Sequence, residues 1–144
     1  MVALDLFAGA GALGLEALSR GVARAVFVDN SKSALRTLRK NIDTLGFSES
    51  SEVHSGDALR TLDRFARTRM HCGFHWVFVD PPYAGDLATL AIDRLGRGDL
   101  LGDDAIVVVE HDRRTAPAPS GCLIRTDERR YGDTVLSFFK LGDS

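Results

Sequence analysis

Apolar and polar positions change their spacing repeatedly along this chain, and the changes predict alternating strands and helices. Short apolar runs bounded by turn residues, which are typical of buried strands, occur at residues 2–7, 25–29, 52–54 and 76–79. The segment that starts near Ser31 instead has leucine or isoleucine at every third or fourth position and ends at Gly46. That spacing predicts an amphipathic helix, whose apolar face we expect to pack on a sheet.

The rest of the chain continues the same order and then changes. Further helices are predicted at residues 13–20, 58–68 and 87–95, and the apolar segment 105–110 predicts a strand that is covered on both faces. After two prolines, two β-rich segments at 123–126 and 134–141 predict a hairpin joined through 131–133. The order predicts an α/β, Rossmann-like fold with a mostly parallel seven-stranded sheet, one antiparallel strand and helices on both faces.

A glycine-rich turn follows the first predicted strand. Gly9 and Gly11 allow backbone torsions that side chains disfavour, and they let a ligand approach the main chain. Asp29 ends the second predicted strand about twenty residues later, where a carboxylate can hold the two hydroxyls of a ribose. The pattern indicates a nucleotide-binding turn, although helix packing against a strand also requires small residues.

A second motif, Asp80-Pro81-Pro82-Tyr83, directly follows the strand predicted at 76–79. A carboxylate at a strand end lies at the edge of the sheet where open α/β folds bind ligands. The prolines remove two N–H donors and leave main-chain carbonyls as acceptors, and the tyrosine offers a flat face. The motif favours a site that binds a planar amine such as a nucleobase, although these residues are also common in turns.

Four carboxylates are predicted at strand ends along one edge of the sheet, namely Asp5, Asp29, Asp57 and Asp80. Asp5 would repel the pyrophosphate of a dinucleotide, whereas S-adenosylmethionine has no phosphate and carries a cationic sulfonium and an amino group. We expect Asp5 near the amino group, and Asp57 with the Ala58 N–H at the adenine ring. Asp57 is also a typical cap for the helix that follows it.

Two long segments carry a resemblance to a known family. They are residues 4–21, LDLFAGAGALGLEALSRG, and residues 130–134, RYGDT. With these segments the chain resembles the RsmD family of class I S-adenosylmethionine-dependent methyltransferases, which act on guanine N2 of small-subunit (16S) ribosomal RNA. The resemblance implies that the catalytic residues are Asp80, Pro81, Pro82 and Tyr83. It also implies that the cofactor binds at Asp5, Phe7, Ala8, Gly9, Gly11, Asp29, Asn30, Asp57 and Ala58.

Members of this family carry a segment before the first strand, with a basic stretch and a helix that covers the cofactor and meets RNA. Here Met1 precedes Asp5 by only four positions. We therefore expect one methyltransferase domain over residues 1–144 without that extension, and weaker retention of the cofactor. The resemblance further implies a monomer that acts on ribosomal RNA, within a small-subunit particle.

Composition and charge fit a small cytoplasmic enzyme and exclude other classes. The chain has 144 residues and a net charge of −2, without an apolar run of membrane-spanning length. Two cysteines do not form a disulfide framework or a metal motif, so no metal is expected. Among the basic residues, Arg129 and Arg130 lie nearest the expected substrate side and are the candidates for contacts with RNA phosphates.

Other functions remain open from the residues alone. Methyltransferases that act on DNA bases or on protein glutamine hold an amine in the same way. A nicotinamide-dependent oxidoreductase would use the glycine turn and Asp29, but it would leave the residues 80–83 without a role. A binding domain without activity would not need the complete amine-binding motif.

Overall fold

The computed structural model describes residues 1–82 and 86–142. Within these residues, seven strands form one sheet: β1 (Val2–Leu6), β2 (Arg24–Asp29), β3 (Ser51–Ser55), β4 (Phe74–Val79), β5 (Leu101–Asp112), β6 (Leu123–Tyr131) and β7 (Thr134–Leu141). Their order is β3-β2-β1-β4-β5-β7-β6. β7 is antiparallel to both of its neighbours, and the other pairs are parallel. The predicted fold, with one reversed strand, is confirmed.

The helices of the described residues are α1 (Ala12–Ser19), α2 (Lys32–Leu45), α3 (Ala58–Thr68) and α4 (Leu87–Leu95). Their ends follow the predicted signals. Ser31 caps α2, since its hydroxyl accepts a hydrogen bond from the Ala34 N–H at 3.3 Å. Gly46 ends α2 in the left-handed conformation, with φ of 78°. No helix in these two ranges is long and apolar enough to cross a membrane.

Two apolar layers cover opposite faces of the sheet. Leu4 and Leu6 of β1 belong to the layer that includes residues of α3 and α4. Ala3, which points to the other face because strand side chains alternate, belongs to the layer with α1 and α2. Helices on both faces bury the central strands, so β1 and β2 are apolar along nearly their whole length.

The bounds of two strands differ from the sequence prediction by more than two residues at one end. β5 begins at Leu101 rather than at 105, and its first residues pair with β4 across an irregularity between Phe74 and Trp76. β6 continues to Tyr131 through a polar, exposed segment. In both places the backbone ladder with a neighbouring strand maintains the strand, so the side-chain pattern gives no signal.

The strand order indicates which edge of the sheet binds a ligand. From β1 the chain proceeds outward through β2 and β3, and it then returns to place β4 on the other side of β1. A crevice forms at the carboxyl ends of the strands where the order reverses, and ligands of open α/β sheets bind there. The strand-end residues Asp29 and Asp80 flank this point.

Candidate active site

The glycine turn connects β1 to α1 in conformations that favour glycine. Gly9 and Gly11 have φ of 56° and 88°, and Gly11 directly precedes α1. A Cβ at Gly11 would lie 2.3 Å from Leu38 Cδ1, whereas one at Gly9 would meet no atom within 4 Å. Gly11 is therefore required for packing on α2, and Gly9 leaves open space beside the turn. Phe7 also has a positive φ, of 58°, and this backbone conformation is uncommon for a bulky residue.

Asp5 lies behind this turn. It is 2% exposed, and its Oδ2 accepts a hydrogen bond from the Gly14 N–H at 2.9 Å. Burial raises the pKa of Asp5 to about 7, against the lowering effect of the Gly14 N–H and with added repulsion from Asp80 and Asp29. The structure therefore shows Asp5 holding the start of α1. Its contact with the cofactor amino group stays a prediction.

Asp29 connects the turn to the end of β2. Its Oδ2 accepts from the Gly9 N–H and its Oδ1 from the Ser31 N–H, each at 2.8 Å. A carboxylate has about four acceptor positions, so two backbone donors fix the orientation of Asp29 and leave acceptor capacity on both oxygens. Two neighbouring hydroxyls of a ribose would complete that set.

Asp57 begins α3 as the sequence indicated. Its Oδ1 accepts from the Arg60 N–H at 2.9 Å, so Asp57 caps the helix. Ala58 is the first residue of α3, and the N–H of that position has no acceptor within its own helix. One carboxylate oxygen and one N–H at this point would match an adenine amine and its neighbouring ring nitrogen.

A cavity of about 340 Å³, which we call the Asp29 cavity, brings these groups together. Its volume is in the range of about 300–1,000 Å³ that is usual for small-ligand sites. Eight predicted site residues line it, together with Ser31, Gly56 and Leu87; the eight are Phe7, Asp29, Asn30, Asp57, Ala58, Asp80, Pro81 and Pro82. Ala8, Gly9 and Gly11 do not line the cavity; they form the turn that carries Phe7 to it.

A second cavity of about 40 Å³, the Asp80 cleft, adjoins the same motif. Asp80, Pro81 and Pro82 line both cavities, whereas Glu110, His111 and Asp112 of β5 line the cleft. Tyr83 lies outside the described residues. Burial is the main cause that raises the pKa of Asp80 to about 6, and repulsion from Glu110 and a hydrogen bond with it add to the shift.

The basic candidates line neither cavity, although Arg130 pairs with Val135, the neighbour of Thr134 in the Asp80 cleft. Arg129 and Arg130 are exposed on β6, at the outer edge of the sheet and three strand positions from β4. Three strand spacings amount to about 14 Å. Arg129 Nε lies 3.4 Å from Asp127, and Arg130 Nε lies 3.4 Å from Glu128. Their contact with a substrate stays a prediction.

The sequence reasoning missed Glu110. The register of two strands places Glu110 at the site. Val79 of β4 pairs with Val109 of β5, so the next residues, Asp80 and Glu110, are neighbours. Sequence analysis that considers each strand end separately does not show which residues of two strands are neighbours. The sequence analysis also missed Ser31 and Leu87 as lining residues. Each lies at the start of a helix beside the cavity, and the analysis considered only strand ends and the motifs that follow them.

The expectation of no metal site stays a prediction. Among the described residues, Glu52, His54 and His71 bring three potential ligand atoms within 4.8 Å of one another. Glu52 Oε2 lies 2.5 Å from His71 Nε2 and 3.2 Å from His54 Nε2. Arg64 Nη2 lies 3.1 Å from His54 Nδ1 and can only donate, so His54 Nδ1 accepts this hydrogen bond. His71 Nε2 is hydrogen-bonded to Glu52, whereas His54 Nε2 has no hydrogen-bond partner among the described residues.

The residues of the Asp29 cavity fit S-adenosylmethionine better than a dinucleotide. Asp29, Asp57 and Asp80 make the cavity acidic, and no Lys or Arg is among the residues that line it in the described part of the chain. A pyrophosphate would be repelled, whereas a sulfonium cation and a ribose would be stabilised. The strand order, the reversed β7 and this cavity together define the fold as that of the class I S-adenosylmethionine-dependent methyltransferases.

Comparison with known proteins specifies the group within this class. The model of the family described as "Conserved hypothetical protein 95" matches residues 1–140. The chain belongs to this family, which is the RsmD family.

Two relatives and one solved structure support the assignment. The chain is 37% identical over 138 residues to "Putative rRNA methyltransferase YlbH" of Bacillus subtilis, covering 95% of this chain and 74% of that protein. It is 38% identical over 111 residues to "Ribosomal RNA small subunit methyltransferase D" of Haemophilus influenzae, covering 76% of this chain and 56% of that protein. The latter match therefore spans little more than half of the relative.

Among solved structures, "Putative methyltransferase yhhF" from Escherichia coli superposes with a TM-score of 0.86 at 29% identity, over 99% of this chain and 78% of that one. A S-adenosylmethionine-dependent methyltransferase from Agrobacterium tumefaciens has a TM-score of 0.73 at 18% identity, over 97% and 56% of the two chains. The second likeness supports the fold alone.

Proposed function

We propose that this chain transfers a methyl group from S-adenosylmethionine to the exocyclic N2 amine of a guanine in small-subunit ribosomal RNA. The observation that carries the proposal is the position of Asp80, Pro81 and Pro82 between the Asp29 cavity and the Asp80 cleft. A group that lines both cavities can hold an acceptor amine against the methyl donor. The relatives named as ribosomal RNA methyltransferases support RNA as the substrate.

The chain contributes binding and orientation to this reaction. The cofactor, when bound, supplies an electrophilic methyl group. Asp29 would hold the ribose, and Asp57 with the Ala58 N–H would hold the adenine. Asp80 and the Pro81 carbonyl would each accept one N–H of the guanine amine, which aims the nitrogen lone pair toward the Asp29 cavity. Orientation of two reactants in this way accounts for a large part of an enzymatic rate.

The choice of guanine rests on the resemblance to the RsmD family and requires a direct test. An adenine or cytosine amine, or a glutamine amide, would make the same two hydrogen bonds, so the geometry of Asp80 alone does not select guanine. A small-subunit particle as the substrate, a monomeric enzyme and a cytoplasmic location belong to the same proposal. The names of the relatives support small-subunit ribosomal RNA as the substrate and say nothing about a particle, an oligomeric state or a location.

The test uses Asp80→Asn, with Asp43→Asn as a matched control on the exposed face of α2. Methyl transfer from labelled S-adenosylmethionine to unmethylated small subunits and to free 16S RNA would be followed by nucleoside mass spectrometry. We expect N2-methylguanosine from the wild type and the control, and a loss of about 10²-fold or more in Asp80→Asn. Calorimetry should show that both variants still bind the cofactor.

Three results would contradict the proposal. One is a methylated adenine, cytosine or glutamine in place of guanine, which would move the chain to another class of amino-methyltransferase. The second is full activity of Asp80→Asn, which would leave the motif without a role in transfer. The third is saturable binding of a dinucleotide in place of S-adenosylmethionine, which would overturn the methyltransferase assignment itself.

A further inference from the structure

We propose that Glu110 is a positioning residue that acts through Asp80, so that the two carboxylates together take up the proton that the acceptor amine loses on methylation. This inference rests on the proposed function and deepens it. The sequence motif contains only the first of these carboxylates. The second comes from a neighbouring strand and becomes visible only in the fold.

The geometry of two adjacent strands creates the pair. β4 and β5 are parallel and in register at Trp76 with Ile106, Phe78 with Val108, and Val79 with Val109. Asp80 and Glu110 are the next positions: Asp80 directly follows the end of β4, and Glu110 lies within β5. Both carboxylates line the Asp80 cleft, so the two acids lie together where the acceptor amine is expected.

Among the described residues that line the cleft there is no Lys or Arg to neutralise the pair. Asp86, His111 and Asp112 also line the cleft, and Asp5 lies on the neighbouring strand β1. Asp112 is already paired with Arg114, whose Nε lies 3.0 Å from Asp112 Oδ1. His111 Nε2 is 2.7 Å from the Ser137 hydroxyl and its Nδ1 is 2.7 Å from the Asp112 carbonyl oxygen.

Two neighbouring carboxylates resist ionisation of both, because each negative charge disfavours the other. Repulsion from Glu110 accordingly contributes to the raised pKa of Asp80, after the larger effect of burial. A proton acceptor is most effective when its pKa lies near the working pH, because it can both bind and release the proton. Glu110 thus brings Asp80 closer to that range than an isolated surface aspartate would be.

The proton balance of the reaction needs such an acceptor. Methyl transfer forms an N–C bond with the lone pair of the amine and breaks the S–C bond, whose electron pair stays on sulfur. The amine nitrogen becomes positively charged and loses one N–H proton. Asp80 accepts that proton on a carboxylate oxygen, where Glu110 shares it, and the proton leaves to solvent through the open cleft.

The experiment compares Glu110→Gln with the wild type and with Glu49→Gln, a matched control at an exposed position before β3. The first readout is carbon NMR titration of the Asp80 carboxyl in the free protein, without cofactor or RNA. Glutamine keeps the shape but removes the repulsion, so the Asp80 titration should move to lower pH by about one unit. The control should leave it unchanged.

The second readout is the pH profile of methyl transfer. In the wild type, activity should fall below about pH 6, where Asp80 becomes protonated. In Glu110→Gln this fall should move to lower pH together with the titration, and the rate on the plateau should drop about ten-fold because the proton is no longer shared. Binding of S-adenosylmethionine, measured by calorimetry, should change less than the rate.

The outcomes separate this inference from the proposed function. An unmoved Asp80 titration in Glu110→Gln would overturn the carboxylate pair, whatever the activity. A moved titration with an unchanged pH profile and an unchanged plateau rate would overturn the part of Glu110 in proton uptake. An inactive wild type, with the titration moved as expected, would instead refute the proposed function and with it the catalytic use of the pair.

Discussion

The burial of Asp5 predicts that its replacement by asparagine stabilises the fold more as the pH rises. Asp5→Asn keeps an oxygen that can accept the Gly14 N–H, which now lies 2.9 Å from Asp5 Oδ2, but the substitution removes the ionisable group. Asp5 is 2% exposed, and burial raises its pKa from the usual 3.8 to about 7. We expect the variant to gain stability over the wild type as the pH rises.

The sign and the size follow from proton linkage. Between pH 3.8 and about 7 the folded chain holds a proton on Asp5 that the unfolded chain has released. The folded state binds more protons there, so this group lowers the free energy of unfolding as the pH increases, and the effect is complete above pH 7. A shift of about three pKa units corresponds to roughly 4 kcal/mol, which is the upper limit of the gain.

Urea denaturation of the wild type and Asp5→Asn at several values between pH 4 and pH 8 measures the difference directly. The difference in unfolding free energy should be small at pH 4 and should grow toward pH 8. Asp43→Asn makes the same chemical change at an exposed site of α2. A difference that stays constant over this range would refute the reasoning, as would a variant that is less stable than the wild type at pH 8.

The same variant tests the predicted contact between Asp5 and the cofactor. If Asp5 contacts the amino group of S-adenosylmethionine, Asp5→Asn should bind the cofactor more weakly than the wild type in calorimetry. An unchanged affinity for S-adenosylmethionine would mean that Asp5 only stabilises the glycine turn, through the hydrogen bond from the Gly14 N–H.

Two further predictions concern packing and RNA. Gly14→Ala should lower the free energy of unfolding by about 1–3 kcal/mol in urea denaturation, because its Cβ would lie 2.4 Å from the buried Phe27 ring. The control Gly56→Ala, whose Cβ would meet only an atom at 3.7 Å, should be close to neutral. Equal losses of stability in the two variants would contradict the packing argument. Replacing Arg129 and Arg130 together by glutamine should weaken RNA binding. The decrease of the logarithm of the binding constant with the logarithm of the salt concentration should become less steep by about 1.5. An unchanged slope would remove both from the RNA interface.

Local sequence determined much of the fold, because the period of apolar residues separates strands from helices without knowledge of the partners. The ends of α2, at Ser31 and Gly46, could be predicted since caps act within a few residues. The edges of β5 and β6 could not, because pairing with a neighbouring strand maintains them. Whether a polar segment continues as a strand depends on what lies beside it.

The candidate site divides in the same way. The sequence determined which residues end the strands, so it indicated Asp29, Asp57 and Asp80 as groups at one edge of the sheet, and the structure brings all three to one cavity. Only the tertiary structure decided that Asp5 is enclosed behind the glycine turn and that Glu110 lies beside Asp80. Burial and the register of two strands are properties of distant segments in contact, and these properties determine which carboxylates are exposed, paired or protonated.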